Sequence, residues 1–213
     1  MSVERYFQKW ADEFDALYDQ TRWWYRLDRV LRRGLYERVE LTLREMRDLG
    51  NFSVLDVGCG SGRNAVLFAG AGARRVVGID FSTRMIELAK ALSRARGVDS
   101  RCEFIQADFL EYPAPERFDV VVALGVFDYL AEPRGFLERM MQRASRKVIA
   151  SFPRASLIRA PLRKLRYGLR NCPVYFTTEE KLAELCRNAG LRRFRLVPYA
   201  SSGLLLVGDL AGA

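Results

Sequence analysis

From residue 51 onward the chain changes period, and that change admits few architectures. Apolar runs of strand length fall at residues 52–57, 75–79, 102–105, 118–123, 147–152, 194–197 and 204–207. Helical patterns separate most of them, over residues 63–71, 83–96, 133–143 and 178–189. The last helix opens on Thr177 with Glu180 three residues on, the pattern of a capping box, and Gly190 stands beyond its end. Such alternation predicts an α/β fold with a mostly parallel sheet and helices on both faces. The final two runs are joined only by residues 198–203, so they are expected to pair as an antiparallel hairpin.

Residues 1–50 read differently. Phe7, Trp10, Phe14, Leu17 and Tyr18 recur at helical spacing, and a second helix is expected over about residues 23–47 until Gly50-Asn51 ends it. We therefore expect one domain, with residues 1–50 as a helical cap on a core of residues 51–213. With 213 residues and 49% hydrophobic content, the chain can bury a core of enzyme size. Its longest apolar run, residues 120–127, is far shorter than the roughly 20 residues that span a bilayer. No secretory pattern opens the chain, which points to the cytoplasm.

The chemistry is bounded by what the chain lacks. There is no histidine, which excludes serine–histidine hydrolase triads, histidine-ligated zinc, facial-triad iron and histidine-ligated haem. Cys59, Cys102, Cys172 and Cys186 form no CxxC pair, so no metal ribbon is expected and no metal is assigned. The net charge of +9 is concentrated: between Arg139 and Thr178 there are ten cations and no acid. A local basic segment suits an acidic small substrate, an anionic membrane surface or nucleic acid.

The most informative stretch is Asp56-Val57-Gly58-Cys59-Gly60-Ser61-Gly62-Arg63. A strand runs into a glycine loop that opens a helix, where backbone N–H groups are free and a ligand can approach closely. Arg63 stands where a nicotinamide fingerprint needs its third glycine, and no Gly-Lys-Ser/Thr of a P-loop follows. Asp56 makes the loop unwelcoming to pyrophosphate. The loop calls for a ligand with a cationic part, and S-adenosylmethionine has one. Further along, Asp80 ends the second strand and can accept ribose hydroxyls, with Phe81 beside it for adenine. Asp108, followed by Phe109, ends the third strand and suits the adenine amino group. Leu124 and Gly125 end the fourth strand, with Asp128 and Tyr129 just beyond.

Taken together, these residues resemble class I S-adenosylmethionine-dependent methyltransferases over residues 52–210. The resemblance implies a seven-stranded Rossmann-like sheet in the order 3-2-1-4-5-7-6, strand seven antiparallel. It implies that Gly58, Cys59, Gly60 and Gly62 shape the methionine pocket with Asp56 near the ammonium. Asp80 and Phe81 would take the ribose and adenine edge, Asp108 and Phe109 the adenine, and the backbone at Leu124 and Gly125 the methionine end. The product would be S-adenosylhomocysteine. Residues 6–18, with Trp10 and Tyr18, look like the lid helix of the ubiquinone and menaquinone C-methyltransferases. Residues 148–152 and the stretch before Thr177 loosely resemble magnesium-protoporphyrin O-methyltransferases, which use a histidine near the place of Tyr129.

A sulfonium methyl is already electrophilic, so such a site mainly aligns its acceptor. Without histidine, the acceptor is either nucleophilic as it stands or is deprotonated by Asp128 or Tyr129. We expect a small acidic acceptor, met by Arg159, Arg163 and Arg166 on an amphipathic segment. A lipid acceptor at an anionic membrane surface is the alternative. RNA ranks last, because no appended RNA-binding domain or base-stacking motif is present.

Overall fold

The structure, a computed structural model, describes residues 33–113, 116–155, 173–200 and 203–210. Its first described helix is α1, Arg33–Met46, followed by β1, Ser53–Val57. Then come α2 (Arg63–Gly70), β2 (Arg75–Asp80), α3 (Thr83–Ala95) and β3 (Cys102–Gln106). The second half holds β4 (Phe118–Ala123), α4 (Pro133–Arg143), β5 (Ala144–Pro153), α5 (Glu179–Asn188), β6 (Phe194–Tyr199) and β7 (Gly203–Asp209). The seven strands form one sheet in the order β3-β2-β1-β4-β5-β7-β6. Pairings from β3 to β5 are parallel, whereas β7 runs antiparallel to both β5 and β6. This is the expected class I topology, hairpin included.

Strand alternation sorts the core into two layers. Leu55, Val57, Val121, Ala123, Val148 and Ala150 face a layer capped by Leu137 and Met140 of α4 and Leu182 and Cys186 of α5. Val54, Val120, Val122, Ile149, Leu205 and Val207 face the other layer, capped by Phe68 of α2, Ile86 and Ala89 of α3, and Met46 of α1. The same alternation carries polar residues onto this second face at the carboxyl ends. Asp56 follows Val54 by two, and Ser151 follows Ile149 by two.

Helix α1 runs along this face, its start near the carboxyl ends. Thr42 and Met46 are buried on its inner side. Glu45 pairs with Arg195 of β6 and with Lys147 of β5, Nζ at 3.5 Å. Glu37 accepts the Ala200 N–H at 3.1 Å.

Two local expectations change. The cap of α5 is Thr178, whose hydroxyl accepts the Lys181 N–H at 3.3 Å, rather than Thr177 with Glu180. Thr177 is tied by its backbone to β5, donating to Pro153 O at 3.0 Å and accepting from Ala155 N at 2.8 Å. A residue held in a β-bridge cannot also open a helix. Strand β5 also starts three residues earlier than its apolar pattern, at Ala144, because Ala144 pairs with Phe118 across the ladder.

Candidate functional site

The carboxyl edge of the sheet is organised around the glycine loop. The N–H groups of Gly58 and Cys59 both donate to Ile79 O, at 2.8 and 3.0 Å, which folds the loop back over the end of β2. Gly60 donates its N–H to Asp80 Oδ2 at 2.9 Å, and Ser82 donates to Asp80 Oδ1 at the same distance. Asp80 therefore shapes the loop as well as lining it. Burial pushes its carboxyl upward, opposed by those two hydrogen bonds. The space over Gly60 is open: a methyl group built there meets nothing within 4 Å.

Asp56 is 1% exposed, and its Oδ2 has no hydrogen-bond partner among the described residues. Burial, and then the nearby charge of Asp80, push its carboxyl up to about 8, with Arg38 acting in the opposite sense. A cation delivered to Oδ2 removes that penalty. Cys59 is buried too; its thiol is pushed far up by burial and by the two carboxylates, and its sulfur packs 2.9 Å from where a side chain on Gly78 would begin. It is a protonated packing residue.

The proton on Asp56 gives the site a pH signature. A bound ammonium favours the ionised carboxylate, so ligand binding at pH 7 is expected to release most of one proton. The affinity for S-adenosylhomocysteine should rise from pH 6 to about 8 and then level off. Calorimetry at pH 7 in buffers of different ionisation enthalpy checks this, and Asp56→Asn should abolish the release. The stability sign is opposite. A carboxyl whose folded value lies above its unfolded one contributes stability at low pH that is lost as pH rises through about 8. The ligand-free Asp56→Asn protein should accordingly melt a few degrees higher at pH 8.

On the adenine side the expected residues divide. Phe81 is half-buried beside Asp80. Asp108 is exposed, and its Oδ1 caps the following turn by accepting the Leu110 N–H at 2.8 Å. Phe109 is 5% exposed and packs in the core, its ring tilted against Phe136 of α4 with centroids 5.0 Å apart.

At the end of β4, Leu124 is buried, and Gly125 turns the chain at φ +89°. The N–H of Gly125 donates to Ser151 Oγ at 2.8 Å. A short 3-10 turn, Phe127–Tyr129, follows, with Asp128 buried and Tyr129 half-buried. The Asp128 carbonyl accepts the Tyr175 N–H at 2.8 Å, which brings exposed Tyr175 to the same mouth. Trp10, Tyr18, Arg159, Arg163 and Arg166 lie outside the described residues.

A methyltransferase-domain family model matches residues 54–148, which run from β1 through the first half of β5. The strand order, the glycine loop and that match agree. Residues 54–148 are a methyltransferase domain. This chain is 36% identical over 94 residues to a tRNA U34 carboxymethyltransferase of Shewanella woodyi, a stretch covering 44% of this chain and 28% of that relative. The Klebsiella pneumoniae enzyme of the same name is 35% identical over the same length. The chain thus spans well under a third of the curated relatives it matches. In fold, it is similar to magnesium protoporphyrin IX methyltransferase of Synechocystis with bound SAH, at a TM-score of 0.77, 21% identity and 97% coverage of both chains. It is also similar to a SAM-dependent methyltransferase from Aquifex aeolicus, at a TM-score of 0.68, 20% identity, 94% of this chain and 98% of that one. Among the described residues, no helix is long and apolar enough to cross a membrane.

The sheet and α1 bring together at the carboxyl edge three residues that the sequence patterns did not single out. Arg38 of α1, Ser151 of β5 and Tyr199 of β6 meet on the face that also carries Asp56. Ser151 and Tyr199 had a signal: each continues the period-2 pattern of its strand one step past the apolar core, where a polar side chain has no structural reason to be buried. Arg38 had none, because an arginine on an amphipathic helix reads as a solvated residue.

Proposed function

We propose that this chain transfers the methyl group of S-adenosylmethionine to a small acidic acceptor. The observation that carries the cofactor half is Asp56 Oδ2, a buried carboxylate oxygen with no partner among the described residues, beside the open space over Gly60. That pair fits an ammonium next to a thioether or sulfonium chain. When bound, the cofactor supplies an electrophilic methyl group. The protein's residues do the rest: Asp56 holds the ammonium, Asp80 the ribose, and the turn carrying Asp128 and Tyr129 faces the acceptor. With no histidine in the chain, these are the two residues to which we assign proton acceptance for an acceptor that needs it.

One observation favours a small molecule. The likeness in fold that covers 97% of both chains is to an enzyme named for a small-molecule acceptor. The ten cations and no acids between Arg139 and Thr178 suit an anionic acceptor of either kind. A tRNA acceptor is the second reading, favoured by the 36% identity to tRNA U34 carboxymethyltransferases. That match is no longer than the family-matched span, which in the fold holds the cofactor half. Incubating the full chain with methyl-labelled cofactor, in parallel with a metabolite extract below about 1 kDa and with bulk tRNA, separates the two. Label in the small-molecule fraction supports the first reading. Label only in tRNA replaces it with the second.

A further inference from the structure

Two cations of the basic segment, Arg139 and Arg143, stand away from the carboxyl edge. Helix α4 runs from the turn after β4 back to Ala144, the first residue of β5, which pairs with Phe118 at the start of β4. Its last turn therefore lies at the amino edge of the sheet, opposite Asp56, Gly60 and Asp80. Arg139 and Arg143 are four residues apart on α4, a spacing at which like charges share a face and repel. Yet both guanidiniums converge on one atom. Arg139 Nη2 donates to Tyr112 O at 3.0 Å, and Arg143 Nη2 donates to the same oxygen at 2.9 Å. The two nitrogens are thus held within two hydrogen-bond lengths of each other.

Among the described residues no carboxylate pairs with either arginine. The acids around them are engaged elsewhere: Glu138 with Arg134 at 2.7 Å, and Glu103 and Glu116 with Arg75 at 2.9 and 2.6 Å. Glu111, next to Tyr112, is exposed and bridges to neither. Arg117 adds a third cation at the end of the same helix, where its Nη2 donates to Ala144 O. Arg143 is only 8% exposed, and its guanidinium is pushed down by burial and then by the charge of Arg139. Arg139 Nε is buried with no hydrogen-bond partner among the described residues. The carbonyls that close α4 amount to about half a negative charge, too little for this many cations. A buried cation without a counter-ion is costly, and an orphaned N–H adds to the cost.

We propose that Arg139 and Arg143 form a binding site for a small phosphate-class oxyanion at the amino edge of the sheet. Two guanidiniums held side by side present forked N–H donors to one tetrahedral anion, the arrangement that bidentate phosphate recognition uses. The burial of Arg143 selects a compact anion, since a polymer backbone needs exposed cations along a track. Free phosphate and the phosphate group of a small ester share this chemistry. The bound anion would clasp the segment that leaves β3 onto α4, because Tyr112 is tied through its N–H to Asp108 O at 2.9 Å. The site is separate from the cofactor and acceptor reading and does not rest on it.

The test is thermal melting of the full chain at pH 7 in chloride, inorganic phosphate or glycerol 3-phosphate, all at the same ionic strength. At about 20 mM anion the wild type should melt roughly 2–6 °C higher in a phosphate probe than in chloride, with a dose dependence that saturates. The probe with the lower half-saturating concentration identifies the source. Arg139→Gln should lose the increment, to under about 1 °C, for both probes. In chloride the same variant should melt no lower than the wild type, because a repelling neighbour of Arg143 has gone. Arg143→Lys, which keeps a charge at the buried position, should retain part of the increment. A wild type with no increment, or with one that never saturates, overturns the proposal. So does an Arg139→Gln protein that melts lower in chloride and keeps the full increment, since Arg139 then only ties Tyr112 to α4. An increment that vanishes in saturating S-adenosylhomocysteine places the anion at the carboxyl edge and overturns it as well.

Discussion

Gly60→Val should abolish S-adenosylhomocysteine binding, a loss of more than a hundredfold, while the sheet stays folded. The two halves of that expectation have separate causes. Gly60 sits at φ +52°, a conformation that costs an L-residue about 1–2 kcal/mol, so the melting temperature should fall by roughly 2–8 °C. Nothing in the protein stands within 4 Å of the new Cβ, so no packing is broken. The valine instead fills the space over the loop that the cofactor reading assigns to the ligand. Gly62→Ala is the contrast. Its methyl group would lie 2.7 Å from Ala89 Cβ, 3.0 Å from Ala89 Cα and 3.1 Å from Phe104, at φ +76°. There the start of α2 would be forced off α3, and the melting temperature should drop further for a smaller side chain. If Gly60→Val binds S-adenosylhomocysteine as tightly as the wild type, the ligand does not lie over this loop.

Asp80→Ala carries the second large effect, a ten- to hundredfold loss of affinity, because a buried carboxylate hydrogen-bonded to ribose hydroxyls is worth roughly 1.5–3 kcal/mol. The structure adds a complication with a measurable consequence. Asp80 also accepts the N–H groups of Gly60 and Ser82, so alanine leaves both donors without this partner, that of Ser82 fully buried, and slackens the loop. A 2′-deoxy analogue of S-adenosylhomocysteine separates the roles. The wild type should bind it more weakly than the parent compound, and the alanine variant should bind the two alike. A variant that weakens both ligands but still prefers the 2′-hydroxyl identifies Asp80 as a loop-shaping residue only.

The sheet was legible in the sequence because its signals are local and periodic. Each buried strand is a short run rich in Val, Ile or Leu that needs both faces covered, and each helix carries one apolar stripe. The glycine loop and Asp80 were legible because the order strand–loop–helix–strand–acid imposes close backbone approach at fixed places. What was less legible depends on non-local packing. Phe109 directly follows an acid suited to the ligand, yet Phe136, 27 residues on, draws its ring into the core. Thr177 and Thr178 are equivalent as caps until the pairing of Thr177 with Arg154 across the β5 end assigns the task to Thr178. Arg38 is the clearest case. Its meaning comes from Ser151, 113 residues away, and no pattern within α1 separates a guanidinium reaching a site from one reaching water.

The central claim is that the loop at Asp56–Gly62 holds S-adenosylmethionine. Isothermal titration of the full chain with S-adenosylhomocysteine at pH 7, followed by NADH under the same conditions, tests it most directly. One site with a dissociation constant in the micromolar range, near −8 kcal/mol, and no heat from NADH is the expected pair of results. No binding of S-adenosylhomocysteine by a protein that melts cooperatively would contradict the account.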